Sequence, residues 1–258
     1  MEKITSRDNA RIKYACKLAA SGAFRRSEGR FFAEGRKLCP ELARAAQLET
    51  LFLTAAAAEQ CPRLAALPGE HFLVEDHVAA KLAGVPAPQG VFGVFRTPAH
   101  TLEEVRPGGR YLALEGVQDP GNVGTLLRSA AAFGFDGVIL SEGCAAPYAP
   151  KTLRASMGAA VQLPVIEAGA MPPVIGELRR KGIECLAAAL YRSQPLGDAK
   201  AGPGGVCVVI GSEGQGLTEA TIAACDRTVR IPMTGRVESL NAGIAGSILL
   251  WHFRGAGL

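Results

Sequence analysis

Residues 111–128 read Tyr111-Leu-Ala-Leu-Glu-Gly-Val-Gln-Asp-Pro-Gly-Asn-Val-Gly-Thr-Leu-Leu-Arg128 and change from a strand pattern to a helix pattern. The near-continuous apolar run at the start is typical of a parallel strand that is covered on both faces. Polar, glycine-rich segments follow apolar strand-like runs again at residues 211–217 and 231–241. Ligands collect at the carboxyl ends of strands in open α/β sheets, so the three segments together predict one composite site.

The rest of the C-terminal half alternates between the same two patterns. Apolar runs predict strands at residues 111–117, 137–140, 183–190 and 206–210. Helical spacing, with glycine stops after two of the segments, predicts helices at residues 123–133, 174–181, 218–225 and 240–253. The sequence therefore predicts an α/β fold whose sheet is mostly parallel and has helices on both faces.

The N-terminal region predicts a second and smaller α/β domain. Strand candidates lie at residues 31–33, 51–53, 71–74 and 91–95, and helix candidates at 12–19, 36–46 and 78–82. Prolines and glycines then cluster and apolar periodicity lapses, which indicates a linker. We expect a small domain over residues 1–96, a linker over 97–109 and a larger domain over 110–258.

Composition limits the class of protein. The 258 residues are 48% hydrophobic, enough for two packed cores, and no apolar stretch approaches the roughly 20 residues of a membrane span. The polar start lacks the apolar core of a secretion signal, so we expect a cytoplasmic protein. The seven cysteines are scattered without a Cys-x-x-Cys pair and the four histidines are dispersed, so we expect free thiols and no metal site.

The basic charge is concentrated at the N-terminus. Residues 1–44 contain 11 Lys or Arg against 5 Asp or Glu, an excess of +6, so the remainder of this chain of net charge +4 sums to −2. Such a cluster is a candidate footprint for a nucleic-acid backbone, and a solvated helix face is the alternative. The candidate RNA-binding residues are Arg7, Arg11, Lys13, Arg25, Arg26 and Arg36.

Each of the three polar segments is ambiguous when taken alone. Arg128 lies in a small, apolar stretch and suits either a phosphate or a structural ion pair. The loop after residue 210 is either a ligand-binding turn or an ordinary one. It is not a P-loop, and Glu219 stands where a dinucleotide fingerprint needs its third glycine. Ser239 or Asn241 could be the N-cap of the last helix.

Taken together, the segments resemble the motifs of the SpoU/TrmH-type 2′-O-ribose RNA methyltransferases of the SPOUT superfamily. The resemblance extends over residues 111–254, and the N-terminal region is similar to the ribosomal-protein-like substrate-binding domain that many members carry. Three motifs in order are far more specific than any one of them. The first two motifs are Asp119-Pro-Gly-Asn-Val-Gly-Thr-Leu-Leu-Arg128 and Gly211-Ser-Glu-Gly-Gln-Gly-Leu217, and the third combines Ile231-Pro-Met233 with Glu238-Ser-Leu-Asn241.

The resemblance implies a deep trefoil knot, a homodimer and S-adenosylmethionine as cofactor, held by backbone around Gly211, Ile231 and Leu240. It also implies transfer of a methyl group to a ribose 2′-hydroxyl. A guanidinium is almost never deprotonated in proteins, so we expect Arg128 to hold a phosphate and stabilise the developing oxyanion. Glu213 is expected to fix either the cofactor loop or Arg128 itself, and the remaining polar positions are expected to orient the ribose and the loop. The implied catalytic residues are Asn122, Arg128, Glu213, Ser239 and Asn241.

Three other functions fit parts of the sequence. A nucleotide-dependent oxidoreductase would use the strand and glycine-loop pattern, against which the missing third glycine counts. A second alternative is an RNA-binding protein whose catalytic domain has lost its activity, and the presence of all five polar positions counts against it. The same chemistry on tRNA is the remaining alternative. Because the added N-terminal domain resembles members that modify ribosomal RNA, we favour 23S-type rRNA as substrate.

Overall fold

The computed structural model describes residues 1–190 and 192–255 of the chain. The chain forms two compact units. The first contains Met1–Pro98 together with Tyr148–Val161, and the second contains Ala99–Pro147 together with the chain from Gln162 onward. Nothing in the sequence pattern indicates that residues 148–161 group with the N-terminal unit.

The first unit is built on a mixed five-stranded sheet with the order β1-β4-β3-β5-β2. The strands are β1 (Glu2–Ile4), β2 (Arg30–Glu34), β3 (Leu48–Thr54), β4 (Glu70–Val74) and β5 (Val91–Arg96). The neighbours β1, β4 and β3 are parallel, whereas β5 runs antiparallel to β3 and β2. The helices are α1 (Ala10–Ala20), α2 (Gly22–Glu28), α3 (Leu38–Leu42), α4 (Ala55–Gln60) and α5 (Asp76–Ala83).

The core of the first unit follows from its apolar spacing. Ile12, Ala15 and Leu18 recur at helical spacing along α1 and are fully buried. They pack in one cluster with the aromatic rings of the sheet, of which Phe52 and Phe72 stack at 5.8 Å. The four predicted strands are confirmed, but the helix predicted over residues 36–46 is wrong in length, because α3 spans only Leu38–Leu42 and turns follow it.

The second unit contains a seven-stranded sheet with the order β10-β12-β9-β11-β6-β7-β8. The strands are β6 (Arg110–Glu115), β7 (Gly137–Leu140), β8 (Val165–Glu167), β9 (Glu184–Ala188), β10 (Gln194–Pro195), β11 (Val206–Gly211) and β12 (Arg227–Arg230). Every described pairing in it is parallel. The predicted α/β fold with a parallel sheet is therefore confirmed.

Five helices follow the first unit's sheet in the chain. They are α6 (Pro120–Ala132), α7 (Pro150–Ser156), α8 (Met171–Arg180), α9 (Glu219–Ala224) and α10 (Ala242–His252). All but α7 match predicted helices to within a few residues at each end. The exception, α7, belongs to the first unit, where the ring of the neighbouring Tyr148 stacks on Phe31 at 5.2 Å.

Helices α6 and α10 pack closely, and small residues make this possible. A Cβ at Gly246 would overlap the side chains of Leu126 and Ile210. Ser129 lies one turn after Leu126 on α6, and Ser247 directly follows Gly246 on α10. Their hydroxyls are 2.7 Å apart. The C-terminal helix is thereby held against both α6 and β11, which places the start of α10 beside the start of α6.

Buried thiols contribute to the core of the second unit. Cys185 on β9 and Cys207 on β11 are register partners, and neither is exposed. A hydrogen bond with Cys185, which favours the protonated thiol, and burial raise the pKa of Cys207 well above its ordinary value. Both side chains therefore act as small apolar groups. Over the part of the chain that the structure describes, no helix has the length and apolar character needed to cross a membrane.

Candidate functional site

The three motif segments follow three strands of the same parallel sheet. Strand β6 leads into α6, β11 leads into α9, and β12 leads into the irregular segment before α10. Strands β6 and β11 are direct neighbours, with Gly211 in register with Glu115. Because all strands are parallel, their carboxyl ends share one edge of the sheet, as the composite site requires.

Asn122 lies in the first turn of α6. Asp119 is the N-cap of this helix, and its carboxylate accepts a hydrogen bond from the Asn122 backbone N–H at 2.8 Å. The side chain of Asn122 is buried, and its Nδ2 donates to Glu213 Oε1 at 2.6 Å. This contact joins two motifs that are 91 residues apart in the sequence.

Asn241 is the N-cap of α10, as one of the sequence interpretations predicted. Its Oδ1 accepts from the Ile244 backbone N–H at 3.2 Å. A Cβ on Gly243 would lie 3.1 Å from both the Asn122 Oδ1 and the Asn241 Oδ1. Because Gly243 lacks a side chain, the side-chain amides of Asn122 and Asn241 both lie close to its Cα. The third motif therefore joins the first two.

The segment after β11 is a closed loop over Gly211. Ser212 and Gly216 exchange backbone hydrogen bonds of 3.1 and 3.0 Å, which closes the turn. A Cβ on Gly211 would overlap the backbone of Gly216 and Leu217. Only glycine fits at this position, because the backbone of Gly216 and Leu217 packs directly against Gly211.

Arg128 and Ser239 are not part of this contact network. Both are exposed, and neither has a hydrogen-bond or ion-pair partner among the residues that the structure describes. The structural ion pair considered for Arg128 is therefore wrong for the described residues. Leu126 and Leu127 occupy the buried face of α6, and Arg128 is exposed to solvent. An exposed, unpaired guanidinium is available to an anionic ligand.

The positions expected to hold the cofactor lie on the same edge but in different environments. Gly211 is buried at the end of β11. Ile231 and Leu240 are half-buried and begin and end an irregular segment that contains neither helix nor strand. Their backbone groups are thus free of regular secondary structure, which a backbone cradle for a ligand requires.

The six cations predicted to bind RNA lie in the first unit, and five have partners there. Arg7 donates to the His77 carbonyl, Arg11 pairs with Glu70, Lys13 pairs with Asp8, Arg25 donates to the Leu18 carbonyl, and Arg36 donates to the Gln89 carbonyl. Arg26 is exposed and has no partner within residues 1–190 and 192–255. Exposed ion pairs are weak and can exchange for phosphate, so the RNA-binding surface stays a prediction.

Glu115 is a site residue that sequence reasoning missed. Its carboxylate ends β6 and accepts from the Thr218 backbone N–H at 2.8 Å and from the Thr221 Oγ1 at 2.5 Å. The signal was present, since Glu115 is the one charged residue in the apolar run of residues 111–117. A charged side chain at the carboxyl end of a buried strand is a candidate site residue.

Comparisons with known proteins agree with this geometry. Residues 109–251 match the SpoU rRNA Methylase family, and residues 9–93 match the MRM3-like substrate binding domain. An uncharacterized tRNA/rRNA methyltransferase of Synechocystis sp. is 34% identical, over 97% of this chain and 93% of its own length. A 23S rRNA guanosine 2′-O-methyltransferase of Bacillus subtilis is 32% identical, over 72% of each protein.

A solved structure is similar over both units. The crystal structure of an AdoMet-bound rRNA methyltransferase from Sinorhizobium meliloti has a TM-score of 0.86 and 29% identity, and the match covers 97% of this chain and 96% of that one. The family match covers more than half of the chain and contains all three motifs. The chain belongs to the SpoU rRNA methylase family.

Proposed function

We propose that this protein transfers a methyl group from S-adenosylmethionine to a ribose 2′-hydroxyl in structured RNA. The observation that carries the proposal is the meeting of Asn122, Glu213 and Asn241 at one sheet edge, beside a glycine-rich loop that closes tightly on Gly211. The similar rRNA methyltransferase from Sinorhizobium meliloti binds AdoMet, and the name of the Bacillus subtilis relative states that it methylates a 2′-oxygen of 23S rRNA.

The residues present fit this cofactor. Backbone around Gly211, Ile231 and Leu240 would hold it, since the loop that closes on Gly211 and the irregular segment between Ile231 and Leu240 present backbone groups at this edge. When bound, S-adenosylmethionine supplies a methyl group on a positively charged sulfur. The exposed Glu213 carboxylate at the loop is of the opposite charge and favours such a ligand. The trefoil knot implied by the resemblance stays a prediction.

The protein's part in the reaction is alignment and charge stabilisation. Arg128 would bind an RNA phosphate and stabilise the oxygen as the 2′-hydroxyl passes its proton to water or to the phosphate. Asn122, Ser239 and Asn241 orient the ribose and the surrounding loops. Glu213 holds the cofactor loop against α6 through its hydrogen bond from Asn122. An exposed and unpaired Arg128 supports this role, because it need not leave a protein partner to bind RNA.

We infer that the substrate is rRNA of the 23S type and that the protein works in the cytoplasm. The basic N-terminal region and its match to a substrate binding domain support an RNA selected by its shape. The alternatives are the same reaction on tRNA and RNA binding without catalysis.

A direct assay separates these three. The purified chain is incubated with tritiated S-adenosylmethionine and with rRNA or tRNA from cells that lack the protein. We expect label in the rRNA fraction, located by mapping of ribose methylation in cells with and without the protein. Label in tRNA alone would contradict the rRNA assignment. RNA binding without label in either fraction would contradict catalysis.

We also propose that the protein is a homodimer through α10. Ile244, Ile248 and Trp251 are 54%, 38% and 51% exposed, and their spacing of four and then three residues places them on one face of the helix. An apolar stripe on a helix that is exposed in a single chain is typical of a surface that a partner covers.

Charge introduced into this stripe is expected to separate the subunits. The double substitution Ile244→Glu and Ile248→Glu should convert a dimer into a monomer in size-exclusion chromatography with light scattering, because two buried carboxylates would repel and be desolvated. Leu190→Glu, at an apolar position with 49% exposure outside α10, is the matched control and should remain dimeric. A wild-type chain with monomeric mass would refute the proposal.

A further inference from the structure

We propose that Glu115 is a positioning residue that holds the loop of residues 211–217 in the shape that accepts the cofactor. The inference rests on the proposed function, since it concerns the binding of S-adenosylmethionine. The Glu115 side chain is not one of the groups expected to contact the ligand. It acts through Thr218 and Thr221, which follow the loop and begin α9.

The Glu115 carboxylate binds to residues at the start of α9. It accepts three hydrogen bonds, from the Thr218 N–H at 2.8 Å, the Thr218 Oγ1 at 3.1 Å and the Thr221 Oγ1 at 2.5 Å. The carboxylate is half-buried, and no cation pairs with it in the described chain. Thr221 is fully buried. In the described chain, neutral hydrogen-bond donors alone therefore replace the water that the Glu115 carboxylate loses on folding. Hydrogen bonds to a charged acceptor are strong.

The position of these contacts explains why a strong attachment is needed there. The upstream end of the loop is held by β11, because Gly211 is in register with Glu115 of β6. The downstream end has no strand to hold it, and Glu115 supplies the attachment through Thr218. The same residue of β6 therefore lies beside one end of the loop and binds the other.

Rigid ends matter because the loop is rich in glycine. Residues 211–217 contain three glycines, and an unattached loop of this composition would lose much conformational entropy on binding a ligand. With both ends held and the Ser212 to Gly216 hydrogen bonds formed, that entropy is lost on folding instead. Glu213 is then presented to Asn122 without further ordering.

Removal of the carboxylate should weaken cofactor binding more than it slows the chemical step. For Glu115→Ala we expect the Kd for S-adenosylmethionine, measured by calorimetry, to rise about tenfold or more, as for loss of charge-assisted hydrogen bonds. The KM for the cofactor should rise in parallel, while kcat at saturating cofactor should change by less than about threefold, because ordering and not transition-state contact is lost.

A second readout needs no cofactor. Hydrogen–deuterium exchange of the peptide spanning residues 212–218 should be faster in cofactor-free Glu115→Ala than in the wild type, since the Thr218 N–H loses its acceptor. Thr221→Val, which removes one hydroxyl at nearly constant volume, should show a smaller change in the same direction, and Thr221→Ser should restore wild-type behaviour. If Glu115→Ala does not fold, the same measurements are made on Glu115→Gln, Thr221→Val and Thr221→Ser.

Glu184→Gln is the matched control. Glu184 starts β9 at the opposite end of the same sheet, pairs with Arg227 at 2.7 Å and accepts from the Gly202 N–H at 3.3 Å. Its substitution should lower the melting temperature without changing the cofactor Kd. If Glu115 variants weaken cofactor binding no more than Glu184→Gln does, or leave loop exchange unchanged, Glu115 is not a positioning residue. A wild-type chain that binds no S-adenosylmethionine would instead overturn the proposed function and this inference with it.

Discussion

Arg128→Ala is expected to lower the rate of RNA methylation at least about a hundredfold, the usual loss for one transition-state donor, and to leave cofactor affinity nearly unchanged. Arg128 is exposed and has no partner among the described residues, so its removal breaks no contact that stabilises the fold. The melting temperature should therefore remain close to that of the wild type. A large catalytic loss in a stable protein would assign the guanidinium to the reaction.

Two further variants show whether the effect belongs to this position. Arg128→Lys keeps the charge but lacks the planar fork that binds a phosphate through two hydrogen bonds, so activity should recover only in part. Arg180→Ala removes another exposed arginine without a partner in the described chain, from α8 of the same unit, and should retain activity. Turnover by Arg128→Ala at the wild-type rate would exclude Arg128 from the mechanism.

Gly211→Ala is expected to abolish detectable cofactor binding. The added Cβ would overlap the Gly216 and Leu217 backbone, which cannot move aside as the end of a flexible side chain can. The loop must open, and overpacking of this kind destabilises a protein by about 1–3 kcal/mol. Calorimetry with S-adenosylmethionine measures the binding, and thermal unfolding measures the stability.

Gly214→Ala is the control within the same loop. A Cβ at Gly214 would contact nothing within 4 Å, so cofactor binding and stability should change little. If Gly211→Ala binds the cofactor as tightly as Gly214→Ala does, the loop that closes on Gly211 does not hold the cofactor.

The elements that the sequence predicted are those with long apolar runs. Strands β6, β7, β9 and β11 and the four helices around them were found because the buried pattern repeats over many residues. Elements without a continuous apolar run were missed. Strand β10 has two residues, and β12, which reads Arg-Thr-Val-Arg, has a single buried side chain. Such segments become strands because a neighbour pairs with them.

The candidate site was predicted in part. The motifs identified Asn122, Glu213 and Asn241, and the structure brings these three together. The contacts of Glu115 could not be predicted, since its partners Thr218 and Thr221 are more than 100 residues away. The partners of the basic residues near the N-terminus were equally hidden, because Arg11 pairs with Glu70 across 59 residues.

The sequence alone determined the α/β class, the parallel character of the second sheet and the three segments that form the site. These depend on local properties, namely apolar periodicity and the positions of glycine and polar residues after each strand. Only the tertiary structure decided that β11 lies beside β6, that Glu213 meets Asn122, and that Arg128 faces solvent. Contacts of this kind depend on strand order and helix packing, which bring together residues that no local pattern connects.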